Sequence, residues 1–236
     1  MLEASAKTAE NRGEDSLSAV TPQLIAVSKR HPSAAIVACH SLGQRHFGEN
    51  YLNEALDKID SLTDLQDPPI WHFIGSIQSN KCRAIAEAFD WVQTVDRLKL
   101  VAKLNAGAGD AKRTVDCLIQ VNIDEDSAKS GVSPENIEDL ARAIHAASNL
   151  RLRGLMTITA RSEPSERRAS FARMRSLFDA LKADYENAGG WEASTPTAST
   201  SLIDTLSMGM SDDMDLAIAE GSTMIRVGTA LFGERS

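Results

Sequence analysis

A lysine closes the apolar run QLIAVSKR (residues 23–30). An ε-amine in that position can serve as a point charge or, once deprotonated, as a nucleophile toward an aldehyde. Far along the chain, two segments have the composition of an anion cradle. GMSDDMDLAIAEG (209–221) places Gly209 and Ser211 ahead of a helical pattern, and RVGTALFG (226–233) places Arg226, Gly228 and Thr229 ahead of another. Glycine lets backbone N–H groups come close to an anion, and a hydroxyl adds a donor. A helix N-terminus contributes about 0.3–1 kcal/mol toward a negative charge. A lysine nucleophile combined with an anion cradle suits a Schiff base to a phosphorylated aldehyde.

For that chemistry the two ends of the chain must meet, and the order of the elements brings them together. Short β-rich runs alternate with longer helical patterns: LIAVS (24–28), HFGE (46–49), WHFIG (71–75), WVQTV (91–95), CLIQVNI (117–123), RGLMTI (153–158), DTLSMG (204–209) and TMIRVG (223–228). Between them, SNKCRAIAEAF (79–89), PENIEDLARAIHAA (134–147) and SERRASFARMRSLFDALKADY (165–185) repeat apolar residues at three- and four-residue spacing, Pro134 standing at a helix start. Eight strands, each followed by a helix, predict an α/β fold of the closed (β/α)8 type, a TIM barrel, with a doubly wound open sheet as the other arrangement of such units. The expected layout is a polar segment over 1–18 and a single barrel over 19–236. The Gly-, Ala-, Ser- and Thr-rich stretch 187–201 is expected to form a flexible loop.

Function in such barrels sits where the strands end. Strand 1 ends in Lys29, strand 2 in Glu49 and Asn50, strand 3 in His72 and the turn GSIQSNK (75–81), strand 5 in Asn122 and SAKSG (127–131), strand 7 in SMGMSDD and strand 8 in RVGT. Singly, each has an ordinary reading: a lysine after a strand is usually a solvated end, a histidine beside a tryptophan a hydrogen-bonded core residue, and Lys129 a loop charge. Together they mean more. Loops after strands 7 and 8 often hold a phosphate in barrels, and strand 1 closes on strand 8, so Lys29 faces the cradle. Pyridoxal 5′-phosphate (PLP) meets both requirements. A phosphosugar barrel with an aldolase-type lysine meets the generic ones.

Composition removes other classes. The chain has 236 residues, 42% hydrophobic, enough for a sizeable core, and its formal charge of −8 argues against a general nucleic-acid or anionic-membrane surface. Cys39, Cys82 and Cys117 match neither a disulfide framework nor a zinc spacing, as expected of a reducing cytoplasmic setting. The acidic N-terminal stretch lacks a secretory h-region, and no apolar run is long enough to span a membrane.

LIAVSK, GQRHFGENY, WHFIGSIQSNK, VQTVDRLKL, QVNIDEDSAKSGV, RLRGLMTI and LSMGMSDDMDLAIAEGSTMIRVGTALFGER together resemble the pyridoxal phosphate homeostasis protein family, whose PLP-binding barrels are similar to the N-terminal domain of alanine racemase. The likeness runs from about residue 23 to 235. It implies PLP fold type III without the C-terminal β domain, as a monomer or weak dimer, with PLP on Lys29. By the same resemblance the phosphate falls to Ser211, Gly228 and Thr229, with Ser207 and Met208 as further ligands. Asn50 and His72 line the ring side, and Arg226 lies near either the ring nitrogen or the phosphate. The N-terminal region is shorter and more polar than the family's leading helix, and EASTPTASTS lengthens the link before strand 7.

The implied function is intracellular PLP homeostasis, meaning storage, buffering or delivery of the cofactor to apo PLP enzymes, with free amino acids as further partners and no robust turnover. An arginine facing the pyridine nitrogen has no proton to give it at neutral pH, leaving a poor electron sink. The alternative is an amino-acid racemase or related PLP enzyme of the alanine racemase type.

Overall fold

The computed structural model describes residues 21–126, 128–192 and 202–233. Its eight strands form one closed parallel barrel in sequence order, β1 (Gln23–Val27), β2 (His46–Glu49), β3 (Ile70–Phe73), β4 (Trp91–Val95), β5 (Val115–Val121), β6 (Leu150–Thr157), β7 (Thr205–Met210) and β8 (Met224–Val227). Closure is by β8 on β1, with Ile25 opposite Arg226 and Ala26 opposite Val227. The helices of the outer ring are α1 (Ser33–Ser41), α2 (Leu52–Ser61), α3 (Cys82–Ala88), α4 (Leu98–Asp110), α5 (Ile137–His145), α6 (Pro164–Asn187), a short kinked α7 (Gly189–Glu192), α8 (Met214–Ala219) and α9 (Thr229–Phe232). The open-sheet alternative is thereby excluded.

Strands buried on both faces read as nearly continuous apolar runs, as QLIAV of β1 and WVQTV of β4 do. The side-chain period of two then divides each strand between two compartments. Ala26, Phe47, Trp71, Phe73, Leu152, Leu206 and Met208 pack outward under the helices in the large core, whereas Ile25, Trp91, Leu118, Met156 and Met224 form a separate small cluster. The small cluster draws on β1, β4, β5, β6 and β8 and fills the barrel's interior.

β5 and β6 begin two and three residues earlier than the sequence indicated. Charged residues concealed those starts: Arg151 and Arg153 lie within β6, both paired with Asp116 of β5, and Arg153 also bonds Asp204 at 2.7 Å. The register slips between the Cys117–Leu152 and Leu118–Gly154 pairs, a bulge that leaves Arg153 unmatched. Gly154 there has φ of +141°, and a Cβ on it would lie 2.1 Å from the Thr205 carbonyl oxygen on β7.

The helix patterns also moved at their ends. Residues 79–81 form a turn before α3, and Pro134–Asn136 is a 3-10 turn ahead of α5. The loop expected over 187–201 is corrected at its beginning: α6 runs to Asn187, and in α7 Trp191 is buried, packing edge-on to His145 and Tyr185 while its Nε1 donates to Asp184 at 2.8 Å. An aromatic anchor outweighed the composition. Residues 193–201 and the polar segment 1–18 lie outside the described residues.

Gly154→Ala should destabilise the barrel by more than ~1 kcal/mol, the reverse of the small gain that glycine replacement brings at compatible sites, because φ is positive there and the new methyl must part β6 from β7. Urea unfolding measures it, and an unchanged midpoint would remove the bulge from the account.

Candidate cofactor site

β1 ends at Val27, and the chain turns through Ser28, Lys29 and Arg30, the last with φ of +62°. Buried charge holds this turn from behind. Lys58 of α2 donates to the Ser28 carbonyl oxygen at 2.8 Å, to Glu49 Oε1 at 2.7 Å and to Glu54 Oε1 at 2.6 Å. Ser28 Oγ donates to the same Glu49 oxygen at 2.7 Å, and the Arg30 N–H donates to Glu54. Burial pushes the Glu49 carboxyl above its ordinary range, against the pull of the Lys58 and Ser28 hydrogen bonds.

Lys29, half-buried, projects into a cleft of about 240 Å³ at the C-terminal mouth of the barrel. Val27, Asn50, Ile74, Ile158, Arg161, Met210, Ser211, Asp212, Arg226, Gly228 and Thr229 complete its wall. Six sequence candidates therefore share one cleft: Lys29, Asn50, Ser211, Arg226, Gly228 and Thr229. Its charges are three cations, Lys29, Arg161 and Arg226, against Asp212 alone, within a chain of net charge −8. At the β8 edge, α9 starts at Thr229 with no side chain capping its N–H groups, and His31 stacks on Phe232, rings 5.0 Å apart, tying that turn to the one carrying Lys29.

Arg226 is buried at 4% exposure, and its guanidinium is held by two bonds, Nη1 to Ser207 Oγ at 2.7 Å and Nη2 to the Thr157 carbonyl oxygen at 2.8 Å. Burial pulls its pKa down to about 10, with Asp213 opposing, so it stays charged at neutral pH. Arginine only donates, so Ser207 accepts from it, and with Gln93 turning its carbonyl oxygen to Ser207 the bonds beyond run outward. Ser207 donates to Gln93 Oε1 at 2.8 Å, Gln93 Nε2 donates to His72 Nδ1 at 3.0 Å, and His72 Nε2 must therefore donate to His46 Nδ1 at 2.9 Å. The result is a polar column through the barrel interior. Both imidazoles are held neutral by burial, His72 well below the ordinary histidine pKa and His46 less so, Asp90 acting against the latter shift.

Three candidates do not reach the cleft wall. His72 is fully buried, stacked on Trp91 at 5.3 Å beneath the mouth, and belongs to the column and not to the cleft wall. Ser207 spends its hydroxyl on Arg226 and Gln93. Met208, next in the strand, faces the opposite side and packs in the outer core, while its carbonyl oxygen accepts from Ser222 at 2.8 Å. Conversely, Arg161 and Asp212 line the cleft and were missed. Arg161 follows strand 6, where the position after the strand was the available signal.

The sequence profile of the family described as alanine racemase, N-terminal domain, matches residues 14–236. The pyridoxal phosphate homeostasis protein of Pseudomonas aeruginosa is 47% identical over 216 residues, 91% of this chain and 85% of that protein. The chain belongs to the pyridoxal phosphate homeostasis protein family. The Escherichia coli K12 member is 44% identical over 90% of this chain and 85% of its own. Among solved structures, PipY of Synechococcus elongatus PCC7942 with PLP bound superposes with a TM-score of 0.78 at 40% identity, covering 90% of this chain and 92% of that one. Alanine racemase from Streptomyces lavendulae shares the fold, with a TM-score of 0.67 at 19% identity, and this chain spans 53% of it.

Family membership gives the column a setting but not its energetics, which follow from the two neutral histidines. Their folded pKa lies below the unfolded 6.5, so the unfolded chain binds protons first. Their contribution is complete above about pH 6.5 and is lost as pH falls below it, with a limiting slope near 1.4 kcal/mol per pH unit for His72. Chemical denaturation at pH 7.5 and 5.5 should show this loss, and His72→Asn should flatten it; an equal loss in the variant would place the titration elsewhere.

Proposed function

We propose that this chain binds PLP through Lys29 and serves as a cytoplasmic holder of the cofactor, buffering it and passing it to apo PLP enzymes. The observation that carries the reading is the shared cleft: one lysine, a hydroxyl- and glycine-lined edge, and an excess of cations. The residues fit the group. Asn50 Oδ1 is buried without a hydrogen-bond partner among the described residues, an acceptor awaiting a donor beside the ring's expected place. The names of the relatives, and the PLP in the PipY structure, support the same reading.

Pyridoxal phosphate supplies an aldehyde that condenses reversibly with amines, so it can be held covalently and released by exchange. The chain's part is positional. The Lys58 clamp fixes the turn that presents Lys29, so the amine is offered from an ordered backbone. Arg226, with two nitrogens committed to Ser207 and Thr157, presents its remaining N–H groups in one orientation. Ser211, Gly228 and Thr229 supply hydroxyl and backbone donors for a phosphate.

Exposure is graded along the cleft. Arg226 is buried, Lys29 and Ser211 are half-buried, and Thr229, Asp212 and Arg161 are exposed. A ligand held here has an anchored end and one within reach of another amine or protein, which favours exchange over sequestration.

Borohydride reduction of the PLP-loaded protein should place a phosphopyridoxyl group on the peptide containing Lys29; label mainly on Lys81 or Lys129 would overturn the assignment. Thr229→Ala should weaken PLP retention, read by equilibrium dialysis, by about 1.5–3 kcal/mol, the range for a hydrogen bond to a charged group. Retention unchanged in Thr229→Ala would move the phosphate to another edge of the cleft.

A further inference from the structure

Two of the motifs behind the family likeness, FGENY (47–51) and GSIQSNK (75–81), place most of their polar residues outside the cleft. Tyr51, Ser76, Gln78 and Lys81 instead line a neighbouring cavity of about 510 Å³, whose walls also include Asn53 and the apolar Leu52, Phe73 and Ile85. Asn50 is the one residue that lines both this cavity and the cleft.

The cavity's walls are ordered. Gly75 sits so close to the FGENY loop that a Cβ on it would lie 2.1 Å from the Asn50 carbonyl oxygen, a contact only glycine permits. Thr94 Oγ1 donates to the Gly75 carbonyl oxygen at 2.7 Å, and Arg97 Nη2 donates to that of Ile77 at 2.7 Å, fixing the loop from below. The Lys81 N–H closes the turn on the Gln78 carbonyl oxygen at 2.8 Å.

Its charge is one-sided. Half-buried Lys81 is the only ionic side chain among the acid and base groups of the wall, and it has no ion pair among the described residues. α2, ten residues long, begins at the same wall with no side chain capping its first N–H groups. The orphan Asn50 Oδ1 adds a buried acceptor at the partition. These groups suit an anion at Lys81 and a hydrogen-bond donor at Asn50, with apolar surface between.

We propose that this cavity is a second binding site, for a small carboxylic acid that bears an amino or hydroxyl donor and an apolar side chain. Its carboxylate pairs with the Lys81 ammonium, its donor meets Asn50 Oδ1, and its side chain packs on Phe73, Leu52 and Ile85. The site does not require a ligand in the cleft, although Asn50 is common to both walls.

Calorimetric titration of the PLP-free full-length protein tests it with L-leucine, L-2-hydroxy-4-methylpentanoate, 4-methyl-2-oxopentanoate and inorganic phosphate. The amino acid, the hydroxy acid or both should bind, the result naming the donor, and the oxo acid, which has none, should bind more weakly. Lys81→Met should weaken binding roughly tenfold or more, the consequence of losing one charged contact, and Lys81→Arg should restore most of it. Lys29→Ala should still bind the acid, and Lys81→Met should still be labelled at Lys29 by PLP and borohydride. Three results would each overturn the second site: no binding by any acid, full binding in Lys81→Met, or loss in Lys29→Ala. Phosphate binding as tightly as the acids would reduce it to an anion contact and overturn the ligand class.

Discussion

A guanidinium keeps its charge at neutral pH, so placing Arg226 inside the barrel commits the residues around it. Ser207 accepts from it and donates its own hydrogen to the Gln93 carbonyl oxygen, and Gln93 turns its amide nitrogen toward His72. The tautomers of two histidines, on β2 and β3, are thereby tied to a residue on β8. Burial cooperates, because it keeps both rings neutral and so compatible with that direction. A protonated His72 would present a donor to Gln93 where an acceptor is required. The cleft's deepest cation and the barrel's polar interior are one structure, and Arg226 is rigid because its support has a single satisfied arrangement.

The Lys29 side of the cleft rests on a second buried arrangement with a different logic. Lys58 faces two carboxylates and a carbonyl oxygen, and the pair it makes with Glu49 is almost wholly out of water. Such a pair contributes little net stability against an apolar replacement, but it is costly to break from one side. What it secures is the path of the backbone: the carbonyl and hydroxyl of Ser28 and the N–H of Arg30, on either side of Lys29, all end in this cluster. Lys29 can thus carry chemistry on a turn, where mobility would otherwise be expected.

How much of this the sequence revealed follows from the same periodicity. Strands such as β1 and β4 stood out because burial on two faces produces apolar runs, and Lys29 stood out as the charge ending one of them. The residues that converge, Lys29, Asn50, Ser211, Arg226, Gly228 and Thr229, lie at strand ends, where the barrel dictates convergence. The residues misplaced lie within strands. Ser207 and Met208 are adjacent and cannot share a face, and the inward one was needed by Arg226, a demand visible only once β7 and β8 are paired. His72 was counted among the strand ends, yet it is paired within β3, one residue before its last, and its side chain is fully buried in the interior beneath the mouth. Arg161 went unseen for the opposite reason, since strand 6 ends in hydroxyl and alanine residues before the charge appears.

The two cavities at the barrel mouth meet at a partition made by Asn50 and Gly75, whose backbones touch. Gly75 makes the partition thin, and Asn50 makes it polar. A side-chain amide has its acceptor on one atom and its donors on another, so it cannot offer the same group to both sides. A ligand that draws the Asn50 oxygen toward the Lys81 cavity leaves the cleft facing the amide nitrogen, and a ligand of the cleft imposes the converse. Such linkage is reciprocal: by whatever factor one occupant alters the affinity for the other, it is altered in return by the same factor. A holder of a reactive aldehyde whose grip responds to a small acid needs no moving domain for that response, only one amide common to two walls.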